Sequence, residues 1–366
     1  ENRDTGLQIC GDKGSTYSDW PSNNTIKNCT SFLNYDNGDT KGENADGFAA
    51  KLACGDNNVF DGCIAYSNSD DGWDLYSKFT EYGNKIGVVT VKNCVAFNNG
   101  FMFDAAGNAI DSEAGDGNGF KLGGTAAEDK GKDNFTAHIV ENCVAFNNAL
   151  HGFTDNENRE AIQLTNCTSY NNGLDSISGS KYSNFKMYRA SEGRNRGLLS
   201  LAVSANEYLG DDSFNGTLSN SVVVKSNKMY SVTQQTIGSA GADGTSINTG
   251  AEGTSELTAS AGDFVSIKMP EADYDVHRTM RNADGGIDLK GFLTIKSSSA
   301  LRNLGVGASL TSFTGNEAGD AADESDALDP AQTDNIDVWD FDAGADADIS
   351  GNTKFNDLLT ADIMNK

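Results

Sequence analysis

Proline and histidine are almost missing from this chain of 366 residues, which has three of each. Scarce proline beside 41 glycines and 18 phenylalanines is unlike a disordered linker, which would be proline-rich and poor in aromatics. His138, His151 and His277 are scattered and lack the spacing of a zinc or copper site. Basic residues are the second deficit, since 27 Lys and Arg face 53 Asp and Glu, a formal net charge of −26. Such a balance argues against nucleic acid as a partner, because phosphate binding needs a basic surface. A polyanionic ligand would need a bound cation or a local basic patch. Long apolar runs are the third absence: with no stretch of about 18 apolar residues, no membrane-spanning helix is expected. The first residues carry no leader pattern and read like the middle of a repeat, which predicts an upstream segment before Glu1.

What the chain does contain is a repeat. Cys29, Cys63, Cys94, Cys143 and Cys167 each stand at the centre of a run that alternates apolar and polar residues (25–32, 59–66, 90–97, 138–146 and 162–170). That alternation has the period of a strand, not of a helix. Each run ends in asparagine: Asn34, Asn68, Asn98-Asn99, Asn147-Asn148, Asn171-Asn172. Asparagine tolerates left-handed backbone and can hydrogen-bond to its copy in the next turn. Between these runs lies a second strand class, Gly47-Phe48-Ala49, Gly72-Trp73-Asp74, Gly119-Phe120-Lys121 and Gly152-Phe153-Thr154. Two visible strands in a unit of roughly 20–30 residues predict an all-β solenoid, a parallel β-helix over residues 1–310, with loop insertions near 100–117 and 125–133. The five cysteines then form a buried internal ladder. Cys10 and Cys54 each begin a Cys-Gly-Asp triplet after a comparable strand, which predicts a Cys10–Cys54 disulfide and a secreted or periplasmic protein. Strand-like pieces at 198–202, 216–224 and 263–267 read as further, less regular coils. Residues 311–366 read as an irregular acidic C-terminal extension, packed on the helix or trailing from it. A calcium loop near Asp342, Asp346 and Asp348 is a remote reading there, because the spacing misses that of the helix-loop-helix motif.

The chemistry gathers around Asp70-Asp71-Gly72-Trp73-Asp74. Aligning the glycines sets Asp46 and Asp71 in one column and Asp74 and Lys121 in another, with Asp70 alongside. Read alone, the cluster is a solvated turn and Lys121 an ordinary ion-pair partner of Asp74. Stacked at about 4.8 Å, however, four carboxylates repel and raise one another's pKa unless a cation joins them. Oxygen ligands in that number suit Ca²⁺ better than zinc or copper. A lysine held beside a divalent cation is pushed towards its neutral amine, and a neutral amine can act as a general base. The pair suits abstraction of the C5 proton of a uronate polymer, with the cation stabilising the developing charge and the C4–O bond leaving by β-elimination. Lys51 and His151 are weaker candidates for holding substrate. Trp73 and Phe120 alternate with Asp74 and Lys121 and are assigned to the core.

Three segments, 44–52, 69–75 and 117–124, together with the later His151-Gly152-Phe153-Thr154 and Gly291-Phe292-Leu293, resemble polysaccharide lyase family 9. The separation of Asp46 from Asp70 is similar to that family's, and the resemblance covers about residues 1–310. It implies a right-handed parallel β-helix, a Ca²⁺ held by Asp46, Asp70, Asp71 and Asp74, and Lys121 as the base. It also implies a secreted, monomeric pectate lyase whose partner is an acidic polysaccharide, with no nucleic acid and no membrane. Three alternatives stay open: a lyase of rhamnogalacturonan or another uronate polymer, a glycoside hydrolase and a Ca²⁺-stabilised carbohydrate-binding solenoid. The hydrolase would need an acid and a base carboxylate around a water, and Lys121 in the column speaks against it.

Overall fold

Each cysteine-centred run folds as two short strands, because the residue before the cysteine turns the backbone left-handed. Asn28, Asn93, Asn142 and Asn166 take φ of 53°, 54°, 53° and 51°, and Gly62 fills the same place at 70°. The bend splits the runs into pairs such as Asn58–Asp61 with Ile64–Tyr66 and Val89–Lys92 with Val95–Phe97. Adding the Gly-aromatic strand gives three strands per coil, where alternation alone suggested two. The computed structural model describes residues 2–38, 41–101, 115–130, 132–173, 182–187, 193–196, 199–201, 210–238, 246–259, 261–268, 280–283 and 285–310.

The coils stack as an all-β parallel β-helix. The Gly-aromatic strands form a seven-stranded sheet in which Phe48, Trp73, Phe120, Phe153 and Phe185 are successive partners. Their rings stack inside the helix with centroids 4.9, 4.7, 4.7 and 5.2 Å apart. Trp73 and Phe120 are therefore core residues, as expected. Beside them runs the cysteine ladder: Cys63, Cys94, Cys143 and Cys167 are buried, with Cys29 partly exposed at the end. The paired asparagines divide their work. Asn98, Asn147 and Asn171 adopt the left-handed turn. Their neighbours link Asn34, Asn68, Asn99, Asn148, Asn172 and Asn184 through Nδ2-to-Oδ1 bonds of 2.7–3.0 Å.

Two expectations change. Cys10 and Cys54 are free thiols. The register pairs Ile9 with Ala50, and each sulfur turns to local groups, Cys10 to the Gly11 carbonyl and Cys54 to Asn58 Nδ2. The strand Gly216–Lys225 pairs in parallel with both Gly193–Arg196 and Leu199–Leu201, a further coil as expected, and then pairs antiparallel with Lys228–Ile237. Residues 263–267 join no parallel ladder. They bridge to Phe292 and Ile295 within a strap reaching to residue 310. Phe264, Met280, Leu289 and Phe292 of that strap share a second hydrophobic cluster with Ile64, Tyr66, Phe97 and Phe146 of the coils. Arg281 fastens it by donating to the carbonyls of Gly62 and Cys29. The acidic residues 311–366, with Asp342, Asp346 and Asp348, lie outside the described residues, as does most of the loop near 100–117.

Candidate active site

The aromatic frame fixes the site. With Phe48, Trp73 and Phe120 in register facing inward, their neighbours Ala49, Asp74 and Lys121 form one outward column. The residues before the glycines, Asp46, Asp71 and Asn118, form a second. Asp46, Asp70 and Asp71 each offer a carboxylate oxygen, and these atoms lie within 4.8 Å of one another, all three residues being buried. Backbone amides aim the carboxylates: Asn44 N–H donates to Asp70 Oδ2 at 2.7 Å and Asp116 N–H to Asp70 Oδ1 at 2.8 Å. Asn118 donates to Asp71 Oδ1 through both its backbone and its side-chain nitrogen, at 2.7 and 2.8 Å. Gly115 is part of the cradle, since a Cβ there would stand 2.5 Å from Asp70 Oδ1.

Two lysines enter this cluster. Lys121 Nζ lies 2.9 Å from Asp71 Oδ2, 3.4 Å from Asp116 Oδ2 and 3.9 Å from Asp74 Oδ1. Lys51, read as a grip for substrate, is only 6% exposed and donates to Asp46 Oδ2 at 2.8 Å and Asp74 Oδ2 at 3.2 Å. Its ammonium ties the acid cluster together and does not reach out from it. His151 falls in the column of Asp71 and Asn118, and its Nδ1 accepts the Ser183 N–H at 3.0 Å. Burial, helped by the charge of Lys186, pushes its pKa down to about 3, so the imidazole is neutral.

Burial pushes the Asp70 carboxyl up to about 7; the charge of Asp46 adds to the rise and Lys121 opposes it. Asp71 and Asp74 are also raised by burial, again against Lys121. For Lys121, burial favours the free amine, but the charges of Asp71, Asp74, Asp70 and Asp116 outweigh it and hold the ammonium well above its ordinary pKa. The expected neutral amine thus requires that these carboxylates first be neutralised. The donor set fits a hard divalent cation. Asp46 Oδ1, Asp71 Oδ2 and Asp74 Oδ1 are buried without a hydrogen-bond partner among the described residues, Lys121 Nζ standing 2.9 Å from the second and 3.9 Å from the third. Buried oxygens in that condition call for a partner. Asn118, Asp116 and Lys186 were not singled out from the sequence. Asn118 was within reach, because it aligns with Asp71 on the same glycine frame.

A family model described as Pel9A-like, right handed beta helix region, matches residues 1–196. Among curated relatives, Pectate lyase L of Paenibacillus polymyxa (strain SC2) is 40% identical over 306 residues, 83% of this chain and 55% of that protein. Pectate lyase L of Dickeya chrysanthemi is 32% identical over 314 residues, 86% and 57% of the two chains. The crystal structure of pectate lyase Pel9A is similar at 29% identity and a TM-score of 0.49, covering 87% of this chain and 62% of that one. The chain therefore spans about half the length of these curated relatives.

Proposed function

The chain belongs to the Pel9A-like right-handed β-helix family, and from that premise we propose that it is a secreted, calcium-dependent polysaccharide lyase that cleaves polygalacturonate by β-elimination. The observation that carries the reading is the convergence of Asp46, Asp70 and Asp71 with Lys121 in one buried cluster, with Lys121 Nζ 2.9 Å from Asp71. Asp46, Asp70, Asp71 and Asp74 would hold the ion. Bound Ca²⁺ would neutralise the uronate carboxylate and so acidify the adjacent C5 proton. The same neutralisation of Asp70, Asp71 and Asp74 leaves burial as the main influence on Lys121, which favours the free amine. Lys121 Nζ then takes the C5 proton, the C5 electron pair forms the C4–C5 double bond, and the C4–O bond breaks. The leaving oxygen takes its proton from water. Asn118 and the amides of Asn44 and Asp116 hold the carboxylates in place throughout. A secreted location fits that reading, since a uronate polymer is too large to enter a cell.

Polygalacturonate mixed with the protein and Ca²⁺ at alkaline pH should develop the ultraviolet absorbance of an unsaturated uronide, and a chelator should abolish it. Lys121→Ala should lower kcat by about 10²–10⁴-fold while polymer binding persists. Undiminished turnover in that variant would remove Lys121 as the base. Binding without elimination by the parent protein on any uronate polymer would favour a carbohydrate-binding solenoid.

A further inference from the structure

The two columns that build the acid cluster do not end at Lys121. The outward column continues from Asp74 and Lys121 to Thr154, Lys186 and Ser213. Its companion continues from Asp71 and Asn118 to His151 and Ser183. Where the columns run on, a cavity of about 450 Å³ opens between His151, Ser183, Lys186, Asp211, Ser213 and Asn227. Among the described residues, no apolar side chain lines it. The two columns therefore change character along their length, from Asp46, Asp71 and Asp74 to His151, Ser183 and Lys186, with Asp211 the acidic residue among the described residues lining the cavity.

We propose that this cavity is a second carboxylate subsite, in which Lys186 and His151 hold a uronate two residues along the chain from the one that reacts at Lys121. The proposal rests on the lyase reading for its ligand, and its geometry is independent of it. Two coil steps separate Lys121 from Lys186, about 10 Å at the usual strand spacing. A 1→4-linked pyranose chain advances by about one coil step per sugar, so a polymer lying along the columns brings the carboxylate two sugars beyond the reacting one to Lys186. His151 complements the lysine. Its Nδ1 lies 3.0 Å from the Ser183 amide nitrogen and 3.2 Å from the Ser183 carbonyl oxygen, and the buried ring is neutral, so it adds a polar, uncharged wall beside the lysine. Asp211 lines the same cavity, but its Oδ1 accepts the Ser226 N–H at 2.6 Å and belongs to that turn. The Tyr182 ring packs edge-on against His151 at 5.3 Å and fixes its plane. Such a subsite takes a carboxylate directly, without a bridging cation, and a methyl ester at that sugar would remove the charge it reads.

The test uses oligogalacturonates from the dimer to the hexamer. Their binding to a Lys121→Ala parent is measured by calorimetry with Ca²⁺ present, so that the chains stay uncut. Adding Lys186→Ala should weaken hexamer binding by about tenfold or more, the usual effect of losing one charge-assisted hydrogen bond. The gain in affinity from dimer to hexamer should shrink, and Lys186→Arg should retain most of it. Equal hexamer affinities with and without Lys186→Ala overturn the subsite, and so does a parent that binds no hexamer. If Lys186→Ala does not fold, Lys186→Gln carries the same comparison. Because binding is read on uncut chains, absence of elimination by the wild-type protein counts against the lyase reading alone.

Discussion

Stripped of divalent cations, the protein should lose stability as the pH rises from about 4 to about 7, and Asp70 should account for a separable part of that loss. Its carboxyl is raised in the folded chain from 3.8 to about 7, chiefly by burial. A group whose folded pKa lies above its unfolded value stabilises fully below the unfolded pKa and loses that contribution as the pH rises through the folded one. The window therefore runs from about pH 4 to about pH 7. Roughly three units at about 1.4 kcal/mol each set a ceiling of about 4 kcal/mol for this one group. Asp71 and Asp74 shift in the same direction and add to the slope. A cation that binds only the ionised carboxylates reverses the trend, contributing about 2.7 kcal/mol at a hundred times its Kd. The assay is denaturant unfolding in chelator and in Ca²⁺ across that pH range, on wild type and Asp70→Asn. Net charge also grows more negative with pH, so the wild-type slope alone decides nothing; the difference between the two proteins does. Asparagine keeps one acceptor for the amides of Asn44 and Asp116, and the cost of the lost acceptor does not vary with pH. Parallel slopes for the two proteins in chelator would refute the reasoning.

Adjacent asparagines should respond by different amounts. Asn99→Ala removes the acceptor of Asn68 Nδ2 and the donor to Asn148 Oδ1, both at 2.9 Å, and should cost about 3 kcal/mol in chemical unfolding. Asn98→Gly, at φ 54°, should change stability by less than about 1 kcal/mol, since glycine adopts that backbone freely. Arg281→Ala should detach the strap, because the guanidinium bonds to Gly62 O, Cys29 O and Thr30 Oγ1 on the coils. Hydrogen exchange should then lose protection over 280–310 while the Asn99 coil keeps its own; unchanged protection in the strap would show that its apolar contacts suffice.

Where the frame Gly-aromatic-x repeated, the sequence placed residues correctly: Asp46 with Asp71, and Asp74 with Lys121, follow from aligning glycines, and the register agrees. It failed where the frame lost its glycine. Asn184-Phe185-Lys186 continues the same columns, but Asn184 replaces the glycine and takes the end of the asparagine ladder, so the coil holding Lys186 was invisible to the pattern. The bend inside each cysteine run was hidden for a different reason. Apolar alternation records which face a side chain takes and is silent about φ, and only the recurring Asn or Gly before each cysteine marked a left-handed residue. The strap was legible in principle. Ile64-Ala65-Tyr66 and Val95-Ala96-Phe97 are buried at every position. Such strands are covered on both faces, as parallel strands generally are. Ala65 and Ala96 belong to the helix interior, so Ile64, Tyr66, Val95 and Phe97 need a second layer outside, and Phe264, Leu289 and Phe292 supply it. The fate of Lys51 followed from the same reasoning about charge that placed the cation. Carboxylates crowded enough to need a metal also draw in any lysine within reach, and Lys51 stands on the coil of Asp46, directly beside that of Asp74.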